Sequence, residues 1–330
     1  MDHMSSPPVP ARRVVSAALA VALSLLAACG SSDDGGSGRT SPDDLVVAVA
    51  SYDLAVGPPA RFIFGLLTAD QRLVAFSSVD ARFSFLGTRA GAEPSSAGPV
   101  VKADFLPVAG STIPDPPPPA PQPVTGSEAR GVYSVRTAFD RPGFWQVEAS
   151  TTLAGKVRRA TGAFEVSERH AVPAPGDQAL ATENLTLASE SAPRPAIDSR
   201  AGTGEIPDED LHRTTIAAAL AAQRPVVAVF STPVYCVSRF CGPVTDLVQE
   251  LGREYADRAT FVHVEVWRDF QGKAINKAAA DWLLRNDDLQ EPWVFVIGAD
   301  GKVVARFDNV VSRGELEPLV RSLPPLGPAT

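Results

Sequence analysis

Phe230-Ser-Thr-Pro-Val-Tyr-Cys236-Val-Ser-Arg-Phe-Cys241-Gly-Pro-Val244 is the stretch on which the fold of this chain turns. Before it runs Val226-Val-Ala-Val-Phe230, apolar without a break, as in a strand buried on both faces. After it, Val244, Leu247, Val248, Leu251 and Tyr255 recur at helical spacing. The two cysteines therefore fall at a strand-to-helix turn. A helix N-terminus carries unpaired backbone N–H groups and a partial positive charge, both of which favour a thiolate over a thiol. Two thiols at that address are placed for exchange chemistry.

Working outward, the pattern over 208–325 alternates helix and strand. A helix is expected over 210–223, with Leu211, Ile216 and Leu220 on its apolar side and Arg224-Pro225 as its stop. A strand follows over 260–267 and a helix over 275–284. Trp293-Val-Phe-Val-Ile297 and Val303-Val-Ala-Arg-Phe307 flank Gly298-Ala-Asp-Gly-Lys302, a strong hairpin signal. A closing helix carries Leu316, Leu319 and Val320, and Pro318 restricts its start to Gly314 or Glu315.

Upstream, residues 45–168 show short β-branched and aromatic runs at 46–52, 61–67, 72–76, 81–86, 100–106, 131–139, 144–152 and 157–166, with no helix-period segment between them. Alternation in Arg82-Phe-Ser-Phe-Leu86 and Trp145-Gln-Val-Glu-Ala149 is that of half-buried antiparallel strands. A β-sandwich of immunoglobulin-like architecture is expected. The proline run from Ile113 to Pro123 is expected as a stiff polyproline II excursion. The sandwich holds no cysteine and no histidine, so it shows no metal or nucleophilic chemistry and is expected to act as a spacer or docking surface. Residues 169–207, rich in Ala, Pro, Ser, Glu and Gly, are expected as an interdomain linker in which Leu185-Thr-Leu187 could add an edge strand.

The order helix, strand, helix, strand, helix, hairpin, helix over 208–325 resembles the thioredoxin fold. Cysteines that follow the first central strand and open a helix, Glu291-Pro292-Trp293 before the next-to-last strand, and the hairpin at Asp300-Gly301 carry the likeness. It implies a multi-domain chain, all-β and then α/β, with Cys236 attacking and Cys241 resolving a mixed disulfide. It also implies a cis bond before Pro292, which would receive substrate chain beside the sulfurs. Tyr235 stands where the family has a tryptophan, and is expected to touch substrate. No cofactor and no metal are called for.

Departures from the family pattern bear on activity. Four residues separate the cysteines instead of two. A second register sets Cys241-Gly-Pro-Val244 on the family's Cys-Gly-Pro-Cys, at the cost of a longer loop. The family often buries an acid below its active site, and the apolar run 226–230 supplies none. Arg239 in the loop is either a thiolate-stabilising cation or a solvated one. His263 on the neighbouring strand opens a copper-carriage reading, whereas His3, His170 and His212 form no ligand spacing. Two hypotheses lead: thiol-disulfide exchange through Cys236 and Cys241, and a non-catalytic binding or scaffold protein in which the pair is a permanent staple.

At the other end of the chain, Arg12-Arg13 and the apolar series 14–28 have the charged and hydrophobic regions of an export signal, too short to span a membrane. Leu26-Ala27-Ala28-Cys29 resembles the bacterial lipobox, which implies acylation of Cys29 as the mature N-terminus. Residues 30–44, rich in Gly and Ser, read as a flexible tether. The mature protein is thus expected on the extracytoplasmic face of a membrane, where disulfides persist. A length of 330 residues fits about two domains. The net charge of -8 comes from scattered acids with no Lys/Arg cluster, which argues against nucleic acid; exported thiol or disulfide proteins are the expected partners.

Overall fold

The computed structural model describes residues 44–89, 91–94, 96–125 and 130–326. The leader, Cys29 and nearly all of the tether lie outside the described residues. Among those described, no helix is long and apolar enough to cross a membrane. The described chain is a β-rich part followed by an α/β part.

Nine strands build the first: β1 (Leu45–Val49), β2 (Ala60–Thr68), β3 (Leu73–Ala75), β4 (Ser78–Gly87), β5 (Ser96–Pro107), β6 (Gln122–Val124), β7 (Gly131–Thr137), β8 (Gly143–Leu153) and β9 (Lys156–Val166). They pair in the order β6-β3-β2-β7-β5-β4-β8-β9, with β1 on β2, and every pairing is antiparallel. The sheet curls until β1 lies across β9. Gly162 marks the crossing, since a Cβ there would sit 2.8 Å from the Val47 side chain. Inside the curl Phe62, Phe83, Phe139 and Phe164 pack edge to face or tilted, an arrangement that suits the ring quadrupole. All eight expected strands are present. The ninth, β6, falls within the proline-rich run and pairs through Gln122, Pro123 and Val124 with β3, so that run is not wholly an excursion.

Helix α1 (Arg194–Ile197) and two 3-10 turns, Ser199–Ala201 and Glu209–His212, lead to α2 (Ile216–Ala221), which is shorter than the 210–223 helix expected. Then come β10 (Val226–Ser231), α3 (Cys241–Glu254), β11 (Thr260–Glu265), the short pair β12 (Trp267–Asp269) and β13 (Ala274–Ile275), α4 (Lys277–Leu283), β14 (Trp293–Ile297), β15 (Val303–Asp308) and α5 (Arg313–Ser322). The main sheet runs β11-β10-β14-β15, with β10 parallel to β11 and antiparallel to β14. Every residue of β10 is buried, which is why its sequence does not alternate. Val227 and Val229 face α3 and α5, while Ala228 and Phe230 face α4 and α2. Helix α5 starts with a capping box, Ser312 and Glu315 satisfying each other's backbone N–H, and Pro318 lies inside it.

The segment expected as a linker is built into the α/β part. Val172 and Ala179 join its core, Thr182 Oγ1 accepts from the indole of Trp282 at 2.8 Å, and Asp198 and Ser199 are buried. Leu185 and Leu187 pack against Ile197, Ala201 and Ile206 rather than forming a strand. Small and polar residues there serve as partners for buried groups, a role that composition does not reveal.

The two parts share a contact surface. Arg61 of β2 donates to Glu315 Oε1 at 2.8 Å and pairs with Asp308 at 3.3 Å. Ile63, Val108 and Val132 pack on Val310, with Phe240 at the edge of that cluster. Tyr52 stacks its ring, tilted, on Trp293.

Candidate functional site

Strand β10 delivers the chain to the top of the sheet, and the loop 232–240 crosses to the start of α3. Cys236 and Cys241 are joined there as a disulfide, with Cα atoms 6.0 Å apart, inside the range that the bond requires. Cys236 is half-buried; Cys241 is buried completely as the first residue of α3. The residue before it, Phe240, provides no side-chain cap, so the first N–H groups of the helix stay available. One of them, the Cys241 N–H, points at Cys236 Sγ at 3.4 Å, and Ser238 Oγ lies 3.3 Å from the same sulfur. Both would hydrogen-bond a Cys236 thiolate. The helix start at Cys241 is what the second register anticipates, whereas exposure makes Cys236 the sulfur an incoming group reaches first.

The Glu291–Pro292 bond is cis, and Pro292 leads into β14 beside β10. Glu291 is the residue that the sequence reading quoted without giving it a role. Its carboxyl and the two sulfurs lie within 4.8 Å of one another. Burial pushes the Glu291 carboxyl up to about 7, helped by the charges of Glu265 and Asp288. Glu265, at the end of β11, is also raised by burial, against the pull of His263 and of hydrogen bonds from Thr232 and Ser199. Its Oε2 accepts the Ser199 N–H at 2.8 Å and its Oε1 the Trp267 N–H at 3.2 Å. Two carboxyls raised by burial thus stand at the end of β11 and just before β14, while the run 226–230 itself carries none. The signal for Glu291 was its place immediately before the proline.

The first part of the chain reaches this site. The Tyr52 hydroxyl donates to the Glu291 carbonyl at 3.1 Å, and burial beside Asp308 and Glu291 drives its own ionisation up. Tyr235 stacks flat on Phe270 at 4.1 Å, and Val234, Val237 and Phe270 expose apolar surface around the cysteines; Val237 is 93% exposed. Arg239 is exposed at a left-handed φ of 63°.

No protein-family model matches this chain, and a search of curated proteins finds no match either.

His263 is not at the sulfurs. It is fully buried, with Nε2 3.0 Å from Ser231 Oγ, and with His212 and Asp198 it forms a separate cluster. No spacing along the chain marks His212 as a ligand, because its neighbours in space come from strand β11 and from the segment 169–207. Burial alone would raise the Asp198 carboxyl, but His212, His263 and Arg200 beside it hold it well below the usual carboxylate range. A cavity of about 820 Å³ lined by Leu211, Ala218, Gly252 and Phe261 lies at the far end of α3 from Cys241, away from the thiol chemistry.

Proposed function

We propose that this protein is a thiol-disulfide oxidoreductase of the thioredoxin-like class, held on the extracytoplasmic face of a membrane by a lipid on Cys29. The observation that carries the proposal is the convergence of both sulfurs and the Glu291 carboxyl at the uncapped start of α3. Sheet order β11-β10-β14-β15 and helices on both faces support the thioredoxin-like assignment of 208–325. The immunoglobulin-like reading of 45–168 rests on the all-antiparallel pairing alone, since these strands join in one curled sheet and not in two.

In the reduced protein, the Cys236 thiolate attacks one sulfur of a substrate disulfide; that S–S bond breaks and the departing thiolate takes a proton from water. Glu291 then accepts the proton of the Cys241 thiol. Cys241 attacks Cys236 Sγ, releases the second substrate thiolate, and closes the protein disulfide. Two electrons pass from the protein to the substrate, and the reverse sequence oxidises a substrate dithiol. Pro292, Tyr235 and the apolar rim of Val234, Val237 and Phe270 would hold an extended substrate chain.

A second reading keeps the pair as a permanent staple in a binding or scaffold lipoprotein, and the complete burial of Cys241 favours it. The reduction potential separates the two. A poise above about -300 mV supports exchange, and one below it supports the staple. In the Cys241→Ser variant the exchange reading expects a mixed disulfide between Cys236 and a substrate thiol, isolated as a covalent adduct; a Cys236 that captures none counts against it.

A further inference from the structure

A chain of hydrogen bonds runs inward from the disulfide, and counting its protons leaves the neutral form of His263 and the Asp198 carboxylate facing each other as two acceptors. Thr245 Oγ1 donates its only proton to the Cys241 carbonyl at 2.8 Å. Ser231 Oγ, 2.7 Å from Thr245 Oγ1, must then be the donor in that contact, which uses the only proton of Ser231. His263 Nε2, 3.0 Å from Ser231 Oγ and 3.3 Å from the Ser231 carbonyl, is left as the donor to both. Neutral His263 therefore presents a bare lone pair at Nδ1. That atom makes no hydrogen bond among the described residues and lies 3.4 Å from Asp198 Oδ2. His212 Nε2 stands 3.3 Å from the same oxygen, the three ligand atoms all lying within 4.8 Å of one another, and His212 Nδ1 has no partner to fix its tautomer. All three residues are buried, the two histidine side chains and Asp198 each at 0% exposure.

Such a cluster has the form of a metal site. Metal-to-nitrogen distances of 2.0–2.1 Å in a tetrahedron put neighbouring ligand atoms about 3.3 Å apart, which the 3.3 and 3.4 Å separations here match. The Nε2–H of His263, bonded to Ser231, is the kind of outer contact that orients a ligating imidazole. Arg200 occupies the outer side of Asp198, its Nη2 2.7 Å from Oδ2, and is itself shared with Asp208 at 2.9 Å and Asp246 at 3.3 Å. Those three carboxylates exceed the charge of Arg200 and the exposed Arg253, which reaches Asp208 at 3.4 Å, so a dication is not repelled.

We propose that Asp198 Oδ2, His212 Nε2 and His263 Nδ1 form a binding site for one zinc-class dication, with water completing the tetrahedron. The ion ties the segment after α1, the turn before α2 and strand β11 together behind the cysteine turn. It is a structural clamp, independent of whether the disulfide exchanges.

The test is zinc retention by the full-length chain, purified in detergent and dialysed from excess zinc. One zinc per chain, a higher Tm with zinc than after chelation, and loss of the metal in His212→Ala but not in His170→Ala are expected. Cobalt in place of zinc should give the visible bands of a tetrahedral nitrogen and oxygen site without sulfur-to-cobalt charge transfer. Should His212→Ala fail to fold, that spectrum of the unaltered chain decides. A folded chain that keeps no zinc and whose Tm ignores both zinc and chelator overturns the proposal. So does a folded His212→Ala that still binds one equivalent, or a cobalt spectrum showing sulfur ligation, which would move the ion to the cysteines.

Discussion

Glu291 is a carboxyl whose surroundings disfavour its charge, and this has consequences for both stability and rate. Its ordinary value of 4.5 is raised to about 7 in the folded protein. The folded state thus holds this proton more tightly than the unfolded state. Its contribution is fully present below pH 4.5, declines as pH rises towards 7, and above 7 Glu291 is a net cost. Glu291→Gln should therefore raise Tm at pH 8 and leave it nearly unchanged at pH 4, as scanning calorimetry would show. The same substitution removes the proposed acceptor of the Cys241 proton. Peptide-disulfide exchange should slow on the order of 10²-fold, and an inflection near pH 7 in the rate profile should disappear while that of the attacking thiolate remains. A wild-type profile with no inflection near 7 would remove Glu291 from the chemistry.

Strand β10 is the element on which the α/β part is assembled. Phe230 at its end is fully buried, 5.1 Å from the Trp282 ring and 5.7 Å from that of Phe295. Phe230→Ala should cost about 3 to 5 kcal/mol by leaving a cavity between these rings, measurable as a shift in denaturant midpoint at unchanged slope. Elements of this kind were legible in the sequence because burial on both faces writes a continuous apolar run, as in 226–230 and 293–297. The eight expected strands of the first part were legible through alternation and turns. Other elements were not, and the reason is physical. Strand β6 is three residues with a proline among them, and proline reads as a break. Asp198, His212 and His263 come from a short helix's end, a 3-10 turn and a strand, so no spacing along the chain announces them. Residues 169–207 have the composition of a tether, yet their backbone and polar groups are used inside the fold, and composition records neither partner nor burial.

At the scale of the whole molecule, Arg61 fastens the first part to the second. Its side chain is 11% exposed and engages Asp308, whose side chain is 12% exposed, together with Glu315 of the capping box that starts α5. Burial raises the Asp308 carboxyl and the Arg61 charge lowers it. Arg61→Ala would leave a buried acid without its cation, at a cost of about 3 to 5 kcal/mol. Unaltered protein should melt in one calorimetric transition, and the variant should separate into two. A single unshifted transition in Arg61→Ala would show that the contact does not couple the parts. The expected lipid anchor belongs to this scale too: Cys29→Ser should move the protein from the membrane fraction to the soluble one, read by fractionation and blotting.

Tyr52 belongs to the first part but packs on Trp293 of the second. Its hydroxyl, from the loop after the first strand, holds the carbonyl immediately ahead of Pro292. A fragment beginning at 208, transplanted by itself, would carry both sulfurs and the acid yet lack the hydroxyl that holds the Glu291 carbonyl. If the proposed exchange takes place, the amino-terminal part borders its site, and changing it should alter which polypeptides are accepted before it alters how fast sulfur reacts.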